Sequence, residues 1–101
     1  MTQSNHILLV ESDANLSMVV ADYLRSKSYT VDTAKDGQEA WELIPKRHYD
    51  IVLSNITMPN MNGYELLKLI RSAFATLPVV FISEKKDNDS IIRAYELGCD
   101  D

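Results

Sequence analysis

Tyr49-Asp50-Ile51-Val52-Leu53-Ser54-Asn55 is an apolar run that ends on a neutral amide, and Ile56-Thr57-Met58-Pro59-Asn60-Met61-Asn62-Gly63 follows it as a polar stretch with Pro and Gly near its ends. The first part reads as a short buried strand over residues 51–55, the second as a loop. Working outward, residues 64–73 carry Leu66, Leu67, Leu69 and Ile70 at helical spacing. Pro78 then opens a second apolar run, Val79-Val80-Phe81-Ile82-Ser83. Strand, loop, helix and strand in that order make a parallel βαβ unit with a right-handed crossover.

The same alternation fills the rest of the chain. His6-Ile7-Leu8-Leu9-Val10 reads as a buried strand. A helix to about residue 27 follows, with Asn15 as its cap and Leu16, Val19, Val20, Tyr23 and Leu24 on its inward face. Residues 29–34 alternate Val31 and Thr33 against Thr30 and Asp32, a second strand. Asp36-Gly37 is a turn in which Gly37 supplies a positive φ. A short helix then packs through Ala40, Trp41, Leu43 and Ile44, and Pro45 limits its extension. Asp87 or Asp89 caps a fourth helix through Leu97, which Gly98 terminates. The expected fold is α/β, a doubly wound parallel sheet.

With 101 residues and no Pro/Gly/Ser-rich linker, the chain reads as one domain, residues 1–101. A chain of this size buries roughly 60–70% of its unfolded surface, enough for one modest core. Its net charge of −5 argues against nonspecific binding to nucleic acid or to an anionic membrane. No apolar run approaches the ~20 residues of a membrane span, and the start lacks the basic region of a signal peptide. Cys99 is the only cysteine, so no internal disulfide can form, and it reads as a small buried apolar residue. A cytoplasmic location is expected. His6 and His48 have no metal-ligand spacing, Trp41 reads as core, and Lys85-Lys86 reads as a solvated loop.

In open parallel sheets, sites form beyond the carboxyl ends of the strands. Spacing gathers Glu11, Ser12, Asn55 and Ser83 there, with Lys35 nearby. No Gly-x-Gly-x-x-Gly or Walker-type loop appears, so a nucleotide site is not supported. Strand alternation turns Ser54 away from Asn55, which discounts it as a nucleophile. Pro59 and Gly63 read as shape, with Gly63 relieving crowding where the third helix begins.

Five stretches together resemble the receiver domain of bacterial two-component response regulators: Leu8-Leu9-Val10-Glu11, Thr33-Ala34-Lys35-Asp36-Gly37, Met58-Pro59 with Asn62-Gly63, Pro78-Val79-Val80-Phe81-Ile82-Ser83, and Glu96-Leu97-Gly98-Cys99-Asp100-Asp101. The last looks most like receivers of winged-helix transcriptional regulators. The resemblance implies a flavodoxin-like fold with strand order 2-1-3-4, the fifth strand and helix missing, so that the domain is incomplete at its C-terminus. In the family an aspartate at the position of Asn55 accepts a phosphoryl group, and two acids at the positions of Glu11 and Ser12 help hold magnesium. A hard cation offsets the repulsion between an anionic donor and an anionic acceptor. Here Glu11 matches, while Ser12 and Asn55 do not. The metal site Glu11–Ser12–Asn55 is therefore expected to be weak or lost, and no cofactor is expected. Asp13 is a candidate compensating carboxylate, set against its role as a favourable charge at the start of the first helix. Ser83 matches the switch hydroxyl of the family.

The resemblance supports a pseudo-receiver: not an enzyme, but a phosphorylation-independent module that binds proteins such as a histidine kinase or an output domain. The alternatives are a phosphorylatable switch with a non-standard acceptor, Glu11 or Asp13, and a conventional receiver in which Asn55 is engineered. A third expectation concerns the missing strand. It would leave the edge of residues 79–83 unpaired and Ile91, Ile92 and Tyr95 uncovered, so the chain is expected to self-associate there, to exchange elements or to be marginally stable.

Overall fold

The computed structural model describes residues 5–74 and 76–82. Four strands form one parallel sheet: β1 (His6–Val10), β2 (Thr30–Ala34), β3 (Ile51–Ser54) and β4 (Val79–Phe81), in the order β2-β1-β3-β4. This is the doubly wound arrangement with order 2-1-3-4 that the sequence led us to expect. Leu9 pairs with both Thr33 and Leu53, and Leu53 with Val80, so the four strands are in step at their middles.

Alternation along the strands builds two cores. Leu8, Val10, Ala34, Val52 and Val79 face α2 (Gly37–Leu43) and α3 (Gly63–Ala73). Ile7, Leu9 and Val31 face α1 (Ala14–Ser26) on the opposite side, where Ile51, Leu53 and Ile82 are only partly buried. On α3, Leu66, Leu67 and Ile70 are fully buried. Each such side chain contributes about 1.5–3 kcal/mol through removal from water. Asn62 caps α3: its side chain accepts from the Glu65 N–H at 3.0 Å, and Glu65 accepts from the Asn62 N–H at 3.3 Å. This reciprocal pair satisfies two otherwise orphan donors at the helix start.

Three local expectations are corrected. The cap of α1 is Asp13, whose Oδ1 accepts from the N–H groups of Asn15 and Leu16, and not Asn15. The inward face of α1 is Ser17, Val20, Ala21 and Leu24, whereas Leu16, Val19 and Tyr23 point outward at 39%, 62% and 61% exposure. Small residues at positions 17 and 21 let the helix approach strands that already carry Ile7, Leu9 and Val31. Gly37 has no left-handed φ; its need is space, because a Cβ there would lie 2.5 Å from the Met61 carbonyl oxygen. The expected fourth helix, Cys99 and Ser83 lie outside the described residues.

Candidate functional site at the carboxyl ends of β1 and β3

Adjacent parallel strands bring Glu11 and Asn55 together across 44 residues of sequence. The Glu11 N–H donates to the Ala34 carbonyl at 3.0 Å, and the Asn55 N–H donates to the Val10 carbonyl at 3.0 Å, so backbone ladders fix both positions. The Asn55 Nδ2 then donates to Glu11 Oε1 at 2.9 Å. The second carboxylate oxygen, Oε2, accepts from the Asp13 N–H at 2.9 Å. Glu11 is 5% exposed, and these two charge-assisted bonds compensate its burial. The Asn55 Oδ1 accepts from the Thr57 N–H at 3.3 Å, which holds the amide in this orientation.

Of the other expected site residues, Ser12 adjoins Glu11 but is exposed. Asp13 also adjoins Glu11, but its Oδ1 is turned to the helix cap. Ser54 is fully buried and donates to the Asn55 carbonyl at 2.8 Å. Among the described residues, no three His, Cys, Asp or Glu side chains gather in a way that could hold a metal ion. The donor set around Glu11 is a poor fit to magnesium, a hard cation that favours carboxylate oxygens. One carboxylate points inward, both its oxygens already accept N–H bonds, and the amide turns its donor side toward that carboxylate.

The loop after β3 is anchored by residues that sequence reasoning read only as a turn. Asp36 is 3% exposed and caps α2; it accepts from the Glu39 N–H at 2.8 Å and from the Asn60 Nδ2 at 2.7 Å. Those bonds, the Glu39 N–H first, hold its carboxyl below the ordinary range despite burial. Asn60 adopts a left-handed φ of 67°, tolerable for asparagine. The sequence signal was present as Asp36 followed three residues later by Glu39, the spacing of a helix start. Gly63 packs under the site as expected: a Cβ there would lie 2.6 Å from the Asn55 carbonyl oxygen.

A second polar cluster sits at the opposite, amino end of the sheet. Asp32 Oδ2 accepts from the Tyr49 hydroxyl at 2.8 Å and lies 3.0 Å from His6 Nε2 and 3.6 Å from Arg47 Nη1. Burial alone would raise this carboxyl, but the Tyr49 and His6 hydrogen bonds and the nearby cations outweigh it and hold it low. Burial and the Asp32 charge push the Tyr49 hydroxyl well up. His6 is thus partly buried and bonded, while His48 is exposed.

Comparisons with known proteins agree with this geometry. Residues 7–101 match the response regulator receiver domain family. The chain is 38% identical over 98 residues to a probable transcriptional regulator, ycf29, of Porphyra purpurea, covering 95% of this chain and 47% of that protein. It is 32% identical over 101 residues to the transcriptional regulatory protein RprY of Bacteroides fragilis, covering all of this chain and 43% of the relative. It therefore spans less than half the length of these curated relatives. Among solved structures, the non-phosphorylated HemR receiver domain of Leptospira biflexa superposes with a TM-score of 0.89 at 30% identity, covering 96% of this chain and 78% of that one. No helix among the described residues is long and apolar enough to cross a membrane. The match across nearly the whole sequence, the 2-1-3-4 sheet and the placement of Glu11 and Asn55 at its carboxyl end agree: this chain belongs to the response regulator receiver domain family.

Proposed function

We propose that this receiver works in two-component signalling as a phosphorylation-independent interaction module. Receiver domains of this family are regulatory rather than catalytic, and the relatives named as transcriptional regulators point to control of an output. The observation that carries the reading is the 2.9 Å bond from Asn55 Nδ2 to Glu11 Oε1. A neutral amide is a very poor nucleophile toward phosphorus. Its N–H also occupies the carboxylate that would otherwise be directed at a cation. With Ser12 beside Glu11, the pocket holds one inward carboxylate, so magnesium binding is weak or lost. Asp13 is committed to the cap of α1 and is not a ready substitute acceptor. Protein partners carry the signal: a histidine kinase or an output domain.

Intact mass after incubation with magnesium and a small phosphodonor tests this, with the Asn55→Asp/Ser12→Asp double variant run in parallel. An unmodified mass for the chain, beside a phosphoryl adduct on the double variant, is the expected result. An adduct of about 80 Da on the chain itself would overturn the reading and assign an acceptor such as Glu11 or Asp13.

A further inference from the structure

The loop that follows Asn55 is tied to the start of α2. Asn60 stands on the surface, yet its Nδ2 reaches the Asp36 carboxylate, which is 3% exposed, at 2.7 Å. The other carboxylate oxygen accepts from the Glu39 N–H at 2.8 Å. Without Asn60 a buried acid would lose its shortest bond. A backbone contact closes the same seam: the Gly37 N–H donates to the Met61 carbonyl at 3.2 Å.

These demands narrow position 60 to asparagine. Its φ of 67° is open at low cost only to glycine, asparagine and aspartate. Glycine has no side-chain donor for Asp36. Aspartate would set a second negative charge against it.

The tie reaches Asn55 by a short, closed path. Residues 56–59 alone separate Asn55 from Asn60. The base of the loop is closed by the Gly63 N–H on the Ile56 carbonyl at 2.8 Å, and its tip is turned by the Met61 N–H on the Pro59 carbonyl at 2.8 Å. Inside that ring the Thr57 N–H donates to Asn55 Oδ1 at 3.3 Å. The usual N–H···O length is ~2.9–3.0 Å, so this bond is easily lost when its donor shifts. It also keeps the amide oxygen turned to the loop and leaves Nδ2 on Glu11.

We propose that Asp36 and Asn60 are positioning residues for the Asn55 amide. Their bond holds the loop so that Thr57 fixes Asn55 with its donor side on Glu11. The start of α2 thereby sets the state of the pocket at the end of β3. The inference rests on the reading that the Asn55–Glu11 bond defines that pocket, and it names what maintains the bond.

The test is the side-chain amide spectrum of the ¹⁵N-labelled chain at neutral pH in chelator, with urea stability measured alongside. In the parent, one Asn55 Nδ2 proton should lie downfield of free asparagine, the mark of donation to a carboxylate. Asn60→Asp keeps the left-handed backbone accessible and replaces the bond with repulsion. The downfield displacement should then be lost and the Thr57 amide should move. Asp36→Asn combined with Asn60→Asp exchanges donor and acceptor, keeps a good helix cap, and should restore both signals. Asn60→Gly removes the side chain while allowing the same φ. It should lose most of the displacement, and it decides the matter if the aspartate variant does not fold. A merely structural role would lower stability without moving the Asn55 resonance. Unchanged Asn55 signals in Asn60→Asp and Asn60→Gly, or a loss that the exchanged pair fails to restore, would overturn the proposal. A parent amide already at the free position would overturn the Asn55–Glu11 reading itself, and this inference with it.

Discussion

The Asn55 amide donates to the Glu11 carboxylate at 2.9 Å, so the residue at the end of β3 acts as a neutral partner for a buried acid. Replacing that amide with a carboxylate sets two negative oxygens against each other in a half-buried site. We expect Asn55→Asp to destabilise the fold at neutral pH by about 1–3 kcal/mol, the cost of leaving Glu11 without its donor beside a like charge. Millimolar magnesium should restore part of that loss in the variant and none in the parent chain. Thermal melts with and without the cation check both halves. Equal stability of the two proteins in chelator would show that the bond contributes nothing.

At the amino end of the sheet, the Asp32 carboxyl is held below its ordinary value, and so is that of Asp50, chiefly by the His6 N–H. A depressed folded-state value means that the native form keeps its charge where the unfolded chain would already take up protons. The stability so gained is complete above the ordinary carboxylate value, near 3.8, and is lost as pH falls below it toward the folded-state values. Tyr49→Phe removes one donor to Asp32. It should cost about 0.5–1.5 kcal/mol at pH 7, and the gap from the parent should narrow as pH drops from 4 toward 2. Urea unfolding across that range measures it. A gap constant with pH would mean that Tyr49 acts through packing alone.

Much of this arrangement is readable from residue spacing. Residues 6–10, 51–54 and 66–70 carry large aliphatic side chains whose periods of two and 3.6 leave little choice. Helix α1 is different because two stripes overlap on it. Leu16, Val19 and Tyr23 are more hydrophobic, but Ser17, Val20, Ala21 and Leu24 have the spacing that meets the sheet. Hydropathy favours the wrong stripe, because the buried positions are chosen for smallness. The site was legible to the extent that Glu11 and Asn55 each end a strand. The bond between them was not, since it depends on register and on which way an amide turns. The Asp32–His6–Tyr49 cluster was invisible for a similar reason: three separate strand approaches meet only in space.

Gly63 offers a case in which two physical effects predict opposite signs. Alanine is the better helix former, by about 1 kcal/mol. A Cβ at position 63, however, would fall 2.6 Å from the Asn55 carbonyl oxygen and 3.0 Å from the Ile56 Cα, both backbone atoms. Neither can swing aside as a flexible side-chain end would. We expect the clash to win and Gly63→Ala to destabilise by about 1–3 kcal/mol, with altered amide shifts at Asn55 and Ile56. A gain in stability on urea denaturation would refute the close approach.

The two stripes of α1 give a final, paired prediction. Val19 is 62% exposed, so Val19→Lys should change stability by no more than about 0.5 kcal/mol. Ala21 is 1% exposed and packs with Ile7, Leu9 and Val31. Ala21→Leu forces bulk in at a buried position packed against these three side chains and should cost about 1–3 kcal/mol. If the hydrophobic stripe Leu16–Val19–Tyr23 faced the sheet instead, the order would invert: the lysine would bury a charge and the leucine would lie in solvent. Parallel urea titrations of the two variants decide between these orientations. A Val19→Lys protein less stable than Ala21→Leu would show that α1 is rotated from the position described.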